Sequence, residues 1–465
     1  MALPRGTASA ALVALVAALL VALMTLVPAA NAAITLNGAT AITDDGGIHV
    51  YDLKRNEQVS RRLQRRGTIF VEELGQSATS NVIFAYYASV GMGTPSKPLT
   101  MLWDTGSYQM WVSNSVVNAK SSSTFKSIGT TFPTITYVDG TTVAGSYATD
   151  NLVIQNISVS NFQFGSAATT DGTTQGYDGI IGMAFSPPAS LTQGTKAKTL
   201  IDQLGGTVLT SQYFCVWISD DEQTGQLTLG GIDRSRYTGS IFWLPVQPTR
   251  SYGYLYWQTP LAALSAIDQN GSVLKNVTAD FQTVIDTGTS LALVPKSVAE
   301  AINTALGLTV VSTNGYTLYG GYCSRLPDTM PNVVMTFSGL DFNLTRSDYL
   351  FQAAGSSGAA VCVSAFAGYD MDGASDTPRA IFGMAVLRHF YTIFSYEANM
   401  IGLAIADRSA DKIAHDLVAG STAGIMGSAS STSSKSGAAA TVVPSSMTLT
   451  AIAGLALWSV LQFAL

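Results

Sequence analysis

The sequence predicts an all-β protein of two related, barrel-like lobes, with a cleft between them and few short helices. Short runs rich in Val, Ile, Thr, Tyr and Phe, broken by Gly, Asp and Asn, extend from residue 82 to about residue 406. This pattern is typical of β-strands. In addition, the motif Asp-Thr-Gly-Ser at 104–107 recurs as Asp-Thr-Gly-Thr at 286–289, which indicates that one lobe repeats the other.

A second repeated element supports the two-lobe prediction. Residues 180–184 read Ile-Ile-Gly-Met-Ala, and residues 381–385 read Ile-Phe-Gly-Met-Ala. The clearest strand and helix patterns can be given as ranges. Strands are expected at 132–137, 151–158, 225–230 and 332–337, and short helices at 199–204, 296–306 and 346–350.

Composition excludes several classes of protein. The chain has 465 residues, of which 47% are hydrophobic and 12% are charged, so it can bury large cores and its bulk is not disordered. The formal net charge of −6 is opposite to that of a typical nucleic-acid-binding protein. With 3 His and 3 Cys in the whole chain, we expect neither a metal centre nor another cofactor.

The first 32 residues have the features of a secretory signal peptide. Arg5 supplies the positive charge, an apolar run extends from Ala10 to Val27, and Ala-Asn-Ala at 30–32 is a small-residue cleavage site. A membrane anchor is the alternative interpretation.

The end of the chain resembles a signal for a glycosylphosphatidylinositol (GPI) anchor. An uncharged apolar tail at 447–465 follows a spacer at 439–446 and the small residues 436–438. Ser436 is the predicted attachment residue and Ser434 an alternative. A transmembrane helix at the end of the chain is the alternative interpretation.

Three dibasic pairs between the signal and the body predict a propeptide. They lie at 54–55, 61–62 and 65–66, where a dibasic-specific protease could cut. The alternative is a lipid- or nucleic-acid-binding patch. The expected division of the chain is: signal peptide 1–32, propeptide 33–66, N-terminal lobe 67–245, C-terminal lobe 246–406, Ser/Gly-rich linker 407–436 and removed anchor signal 437–465.

The two aspartates predict acid–base chemistry. Apolar residues before Asp104 and Asp286 indicate buried strands, and a carboxylate at the end of such a strand needs hydrogen bonds. The residues that follow supply donors: Gly106 and Ser107 in the first copy, Gly288 and Thr289 in the second. If the lobes pair by pseudo-twofold symmetry, the carboxyls meet. Two negative charges at ~3 Å cannot both persist, so one carboxyl acts as base and the other as acid.

A Ser–His–Asp hydrolase is excluded by the histidines. After the predicted propeptide only His389 and His415 remain, and neither lies near a nucleophile motif.

Five segments resemble the pepsin-like aspartic endopeptidases, and the resemblance extends over about 82–406. They are Tyr87–Gly106, Phe132–Asp150, Tyr177–Phe185, Leu227–Asp233 and Ile381–Leu403. The family implies hydrolysis of proteins or peptides at acid pH by Asp104 and Asp286. It also implies that Thr105 and Thr287 grip each other across the lobe interface.

The resemblance further implies a flap over the substrate. Tyr137 matches the flap tyrosine, and Trp111 matches the tryptophan that hydrogen-bonds it. Asp139 and Gly140 fit the flap tip, whereas Val138 stands where Gly is common.

The cysteines fit the family in part. Cys323 and Cys362 flank a segment that resembles the disulfide loop of the C-terminal lobe. The N-terminal lobe lacks its bridge, because 112–125 contains no Cys. Cys215, in an apolar strand pattern, is expected to be a buried inert thiol.

The sequence also predicts where the protein is located, and it leaves one alternative function open. Four sequons suit a secreted protein at the cell surface: Asn156, Asn270, Asn276 and Asn343. The protein is expected to be a monomer. The tail alone is similar to that of surface proteases of the yapsin type. A catalytically inactive, surface-anchored binding protein of the same fold is the alternative, but both Asp-Thr-Gly motifs and the flap tyrosine are intact.

Overall fold

A computed structural model describes most of the body of the chain. The described residues are 49–55, 86–137, 142–155, 157–171, 177–192, 194–205, 208–209, 211–219, 224–313, 315–338, 340–354, 359–371, 378–408 and 415–419. The predicted signal peptide and anchor signal lie outside them, as do the dibasic pairs at 61–62 and 65–66. Among the described residues, no helix is both long and apolar enough to cross a membrane.

The fold is predominantly β, as predicted. The strands are β1 His49–Arg55, β2 Tyr86–Met92, β3 Lys97–Asp104, β4 Trp111–Ser113, β5 Lys126–Thr136, β6 Thr142–Ile154, β7 Ile157–Asp171, β8 Gly179–Gly182, β9 Tyr213–Ile218, β10 Thr224–Leu229, β11 Gly231–Asp233, β12 Tyr237–Pro245, β13 Gln258–Ile267, β14 Val273–Ile285, β15 Ala292–Val294, β16 Thr309–Ser312, β17 Leu318–Tyr322, β18 Asn332–Phe337, β19 Leu340–Leu344, β20 Leu350–Ala354, β21 Ala360–Ser364, β22 Phe366–Gly368, β23 Ala380–Phe382, β24 Phe390–Ser395, β25 Met400–Ala406 and β26 Leu417–Ala419. The α-helices in the described part are α1 Leu200–Leu204, α2 Lys296–Ala305, α3 Arg346–Tyr349 and α4 Met384–Leu387.

The described part of the chain forms three large sheets and a two-stranded sheet, β11-β26. A 13-stranded sheet has the order β12-β25-β24-β9-β10-β1-β2-β3-β8-β4-β7-β6-β5. The C-terminal lobe adds a seven-stranded sheet, β19-β18-β13-β14-β23-β15-β22, and a four-stranded sheet, β16-β17-β21-β20. Because β24 and β25 pair with β9 and β12, the end of the body returns to the first sheet and ties the lobes together.

The sequence repeat corresponds to a structural repeat. The strand that ends at Asp104, β3, pairs in parallel with β8, which carries the first apolar-apolar-Gly element. In the other lobe β14, which ends just before Asp286, pairs in parallel with β23 in the same way. The ends of β3 and β14 that take part in this parallel pairing are buried, which agrees with the apolar residues that precede each aspartate.

An aromatic cluster with residues from both lobes packs at the end of β8. The Trp257 ring lies 4.3 Å from Phe185 and 4.8 Å from Tyr396, measured between ring centroids. The indole N–H of Trp257 and the hydroxyl of Tyr396 both donate to the carbonyl of Met183, at 2.8 and 2.6 Å. Since Met183 directly follows β8, the cluster holds the end of this strand.

Part of the predicted propeptide is built into the first sheet. β1 lies antiparallel between β10 and β2, with His49 opposite Leu229 and Lys54 opposite Tyr87. The first dibasic pair, 54–55, is therefore in a hydrogen-bonded strand.

The helix predictions agree closely with the structure, but one strand prediction is wrong. Helix α1 begins one residue later than expected because Thr199 is its N-cap, with a side chain that accepts from the Asp202 amide. The run 151–158 is not one strand. The chain turns at Gln155, whose φ is 48°, and so divides this run between β6 and β7. Helix α4 was not predicted, because its four apolar residues read as strand.

The cysteines and the sequons are placed as follows. Cys323 and Cys362 form a disulfide. Cys215 is a buried free thiol, and its Sγ lies 3.2 Å from the Gly231 carbonyl oxygen. Three sequon asparagines, Asn270, Asn276 and Asn343, are exposed, and Asn156 lies outside the described residues.

Candidate active site

Two aspartates occupy equivalent positions in the two lobes. Asp104 is the last residue of β3 and Asp286 follows β14, and they are 5% and 6% exposed. The backbone of each aspartate is hydrogen-bonded to the neighbouring strand segment that carries the apolar-apolar-Gly element. The Met183 amide donates to the Asp104 carbonyl at 2.7 Å, and the Asp286 amide donates to the Phe382 carbonyl at 3.0 Å.

Each carboxylate is held by the residues that follow it, as the motif predicts. One oxygen accepts a glycine amide two residues on, and the other accepts a hydroxyl three residues on. The bonds are Gly106 N–H to Asp104 Oδ1 at 2.8 Å, Ser107 Oγ to Asp104 Oδ2 at 2.5 Å, Gly288 N–H to Asp286 Oδ1 at 2.7 Å and Thr289 Oγ1 to Asp286 Oδ2 at 2.5 Å. The two carboxylates are thus oriented by matched pairs of donors.

The motif glycines bring the two carboxylates together. A Cβ placed on Gly106 would lie 2.6 Å from Asp286 Oδ2, and a Cβ placed on Gly288 would lie 2.4 Å from Asp104 Oδ1. Each glycine therefore packs against the carboxylate of the opposite lobe. No larger residue fits without moving a carboxylate.

The motif threonines join the lobes directly beside the carboxylates. The Thr105 hydroxyl donates to the Ile285 carbonyl at 2.8 Å and accepts the Thr287 amide at 2.9 Å. Reciprocally, the Thr287 hydroxyl donates to the Trp103 carbonyl at 2.8 Å and accepts the Thr105 amide at 3.1 Å. Both side chains are buried, so these four bonds are shielded from water.

The surroundings favour a proton on the pair of aspartates. Burial raises the pKa of Asp104 well above its ordinary value, and the negative charge of Asp286 raises it further. Hydrogen bonds from Ser107 and Gly106 oppose this only in part. The pair is therefore expected to keep a proton to a higher pH than an exposed aspartate does.

The predicted flap tyrosine lies beside the pair. The Trp111 indole N–H donates to the Tyr137 hydroxyl oxygen at 2.8 Å, and Tyr177 packs at a tilt against Trp111, with 6.4 Å between ring centroids. Burial, and then the nearby charge of Asp104, raise the pKa of Tyr137, so its phenol stays neutral. The predicted flap tip, Val138, Asp139 and Gly140, lies outside the described residues.

Within the described residues, no group of three or more His, Cys, Asp or Glu could hold a metal ion. The two histidines of the body contact other residues: His389 lies near Asp348, and His415 binds Asp233.

Sequence reasoning missed several supports of the site. The carbonyls of Trp103 and Ile285 receive the threonine hydroxyls. Backbone acceptors leave no trace in residue type, so no sequence signal could have identified them. Tyr177, by contrast, begins one of the segments that resemble the family, and its position two residues before the apolar strand β8 could have marked it as a neighbour of the site.

A sequence model of the family described as eukaryotic aspartyl protease matches residues 85–406. Similar proteins include mouse cathepsin E, 27% identical over 397 residues (78% of this chain and 95% of that protein). Pig pepsin A is 32% identical over 335 residues, with 69% of this chain and 80% of that protein covered. Human gastricsin is 30% identical over 338 residues, with coverage of 69% and 81%.

Proposed function

Because the chain belongs to the eukaryotic aspartyl protease family and is an aspartic endopeptidase (EC 3.4.23), we propose that Asp104 and Asp286 carry out its reaction. The observation that supports this most strongly is the pairing of two buried carboxylates, each packed against the motif glycine of the other lobe. The crossed hydrogen bonds of Thr105 and Thr287 keep that pairing fixed.

The proposed mechanism uses a water molecule between the carboxyls. Asp104, whose pKa is raised, carries the shared proton and donates it to the carbonyl oxygen of the scissile peptide bond. Asp286 accepts a proton from the water, and the water oxygen bonds to the carbonyl carbon. The resulting tetrahedral diol collapses when the proton on Asp286 passes to the leaving nitrogen and the C–N bond breaks. A diol proton returns to Asp104.

Tyr137 is proposed to cover the substrate. Its phenol is neutral and is oriented by the Trp111 indole. An uncharged phenol can approach a pair that carries one negative charge and can exclude water from it. Because the mechanism requires one proton on the pair, we propose an acid pH optimum.

The cell surface is the proposed location. This rests on the predicted signal peptide at 1–32 and on the GPI-anchor pattern, with Ser436 as the attachment residue. The three exposed sequons, Asn270, Asn276 and Asn343, are compatible with glycosylation. The proposed partners are protein or peptide substrates and, through the anchor, the membrane.

The proposed precursor carries a propeptide that associates with the body by strand addition. The position of β1 between β10 and β2 supports this. Since the 54–55 pair lies in a paired strand, we propose that a dibasic-specific protease cuts at a later pair, after Arg66. No observation on the described residues favours the inactive binding protein considered from the sequence.

The test is cleavage of an unfolded protein substrate from acid to neutral pH. Asp286→Ala is expected to lower kcat/KM at least about a thousandfold, because the base is lost, and pepstatin is expected to inhibit the unaltered enzyme. Asp370→Ala is the matched control, since Asp370 is 60% exposed in a surface ion pair with Lys296. Undiminished activity of Asp286→Ala would contradict the proposed role.

A further inference from the structure

Two backbone carbonyls that directly follow β8 accept hydrogen bonds from side chains far away in the sequence. The Met183 carbonyl accepts the Trp257 indole N–H at 2.8 Å and the Tyr396 hydroxyl at 2.6 Å. The same hydroxyl oxygen lies 3.0 Å from the Ala184 carbonyl oxygen. The Tyr396 phenol therefore reaches both carbonyls from the segment between β24 and β25, 213 residues after Met183 in the chain.

The repeated segment in the other lobe satisfies the equivalent carbonyls in a different way. The corresponding residues, Met384 and Ala385, begin helix α4. The Met384 carbonyl accepts the Arg388 amide at 3.0 Å, and the Ala385 carbonyl accepts the Arg388 Nε–H at 3.3 Å. Residues 183–185 are not helical, so their carbonyls have no amide of a following helical turn as a donor. A phenol and an indole supply the hydrogen bonds instead.

The peptide unit between Met183 and Ala184 connects these donors to the aspartate pair. Its carbonyl accepts the phenol and the indole, and its N–H, on Ala184, donates to the Ser107 carbonyl at 2.9 Å. The Ser107 hydroxyl in turn donates to Asp104 Oδ2 at 2.5 Å. Hydrogen bonds in series polarise one another, so a donor at the carbonyl of this peptide unit strengthens its N–H as a donor.

The ring of Tyr396 is held by packing that does not depend on its hydroxyl. It lies 5.1 Å from Phe185, 4.8 Å from Trp257 and 5.9 Å from Phe214, between ring centroids. Replacement by phenylalanine would keep these contacts and remove only the hydrogen bond. Burial, and then the charge of Asp202, raise the pKa of Tyr396 well above its ordinary value, so the phenol stays a donor from acid to neutral pH.

We propose that Tyr396 is a positioning residue for the reaction: its hydroxyl, acting through the peptide unit between Met183 and Ala184, keeps Ser107 in place to hold Asp104. This inference rests on the proposed function, in which Asp104 carries the shared proton. Without the hydroxyl, Ser107 should stabilise the ionised form of Asp104 less well. The aspartate pair should then lose its proton at a higher pH.

The test is cleavage of one peptide by Tyr396→Phe over a range of pH, with kcat and KM measured separately. We expect kcat to fall about two- to tenfold, as for the loss of one neutral hydrogen bond, while KM changes by less than about twofold. Both limbs of the pH profile of kcat/KM should move to higher pH by about 0.3 unit. A residue that only stabilises the fold would not shift this profile.

The matched control is Tyr349→Phe. Tyr349 is also buried, and its hydroxyl also donates to a backbone carbonyl, that of Pro331, at 2.7 Å. This bond lies in the C-terminal lobe and is not part of the series that leads to Asp104. The control should lower the free energy of unfolding but leave kcat and the pH profile unchanged.

A double-mutant cycle tests whether the effect passes through Ser107. In Ser107→Ala the hydroxyl that holds Asp104 is gone, so adding Tyr396→Phe should not change the remaining kcat or its pH profile. The proposal is overturned if Tyr396→Phe alone leaves both unchanged or if Tyr349→Phe gives the same shift. It is also overturned if the effect of Tyr396→Phe is as large in Ser107→Ala.

Hydrogen exchange gives a measurement that does not need activity. In the Asp286→Ala protein, adding Tyr396→Phe should accelerate exchange of the Ala184 amide, because its peptide unit loses a donor. Adding Tyr349→Phe should not do so. An unchanged Ala184 exchange rate would overturn the positioning role. A failure of the unaltered enzyme to cleave any peptide would instead contradict the proposed function.

Discussion

Asp104 shows how a single residue is tuned by its position. It ends a buried strand, so water cannot solvate its charge, and it faces a second carboxylate across the lobe interface. Two hydrogen bonds from its own motif keep the ionised form accessible. The same residue in an exposed loop would be half ionised near pH 4, at about the ordinary pKa of aspartate.

The raised pKa of Asp104 predicts how stability changes with pH. The folded state holds this proton at a pH where the unfolded state has released it, so the stabilisation is complete below about pH 4 and is lost as the pH rises through the folded-state pKa. In Asp104→Asn the free energy of unfolding should therefore fall less between acid and neutral pH. Denaturant titrations at several pH values measure this. Asp370→Asn is the control, and an unchanged slope in Asp104→Asn would refute the prediction.

At the scale of elements, hydrogen bonds hold the loop between β4 and β5, which has no cysteine to form the disulfide that the family resemblance implies for the N-terminal lobe. Asp150, fully buried on β6, accepts the Ser122 hydroxyl at 3.0 Å and the Thr124 hydroxyl at 2.6 Å. Asn118 closes the other part of the loop by accepting the Lys120 amide at 2.8 Å. Hydrogen bonds to a buried carboxylate take the place of a covalent bridge.

Asp150→Ala is expected to lower the free energy of unfolding by about 3 kcal/mol, because buried hydroxyls lose a charged acceptor. The loop should also become more sensitive to proteolysis. Asp341→Ala removes a similar bond at the surface, where Thr336 donates at 2.6 Å, and should cost less than about 1 kcal/mol. Equal losses in the two variants, measured by denaturant unfolding, would show that the Asp150 bonds do not hold the loop.

The segment that follows the C-terminal lobe is also held by contacts with the body. β26 pairs with β11, and the His415 ring Nδ1 lies 2.7 Å from Asp233 Oδ2. Burial alone would raise the pKa of Asp233, but hydrogen bonds from Ser235, Gln226, Asp416 and His415 outweigh it and lower the pKa to about 2.

The lowered pKa predicts that this strand pairing resists acid. Because the pKa of Asp233 falls below its ordinary value, the stabilisation is present above about pH 4 and disappears only as the pH falls through about 2. Hydrogen exchange of residues 415–419, corrected for intrinsic rates, should stay slow at moderately acid pH. Asp233→Asn should accelerate it, whereas Asp370→Asn should not. Fast exchange of the unaltered chain at pH 4 would contradict this prediction.

At the scale of the whole molecule, the large sheet links three distant parts of the chain. β1 comes from the predicted propeptide, β2 and β3 lead to Asp104, and β24 and β25 close the body. A change in β1 would thus reach β2 directly, and through β3 the first aspartate. Removal of the proposed propeptide would therefore rearrange the sheet, because β1 pairs with β2 and β10.

Maturation is predicted to depend on the last dibasic pair. Arg65→Ala/Arg66→Ala should leave precursor uncut at this point, which immunoblotting of cell extracts would reveal as a larger species. Lys54→Ala/Arg55→Ala is the control, since this pair lies in β1 and is expected to be protected. Normal maturation of the Arg65→Ala/Arg66→Ala precursor would rule out the cut after Arg66.

The sequence alone determined the fold class, the two equivalent aspartates and the disulfide partners within the resemblance. Those inferences depend on residue type and spacing. Strands show a characteristic pattern of apolar and β-branched residues, and a repeated lobe repeats its motif. Most helices were predicted to within about a residue, because their caps are local. The strand at 151–158 was wrong, since a turn at Gln155 depends on a left-handed backbone that its residue type does not signal.

Only the tertiary structure decided which distant residues are in contact with each other. It set each motif glycine against the opposite carboxylate, gave the threonine hydroxyls their backbone acceptors, and placed β1 inside the first sheet. These contacts join residues that are far apart in the chain. The pattern of residue types along one segment predicts whether that segment is a strand and which residues it buries. It does not predict which distant segment packs against it.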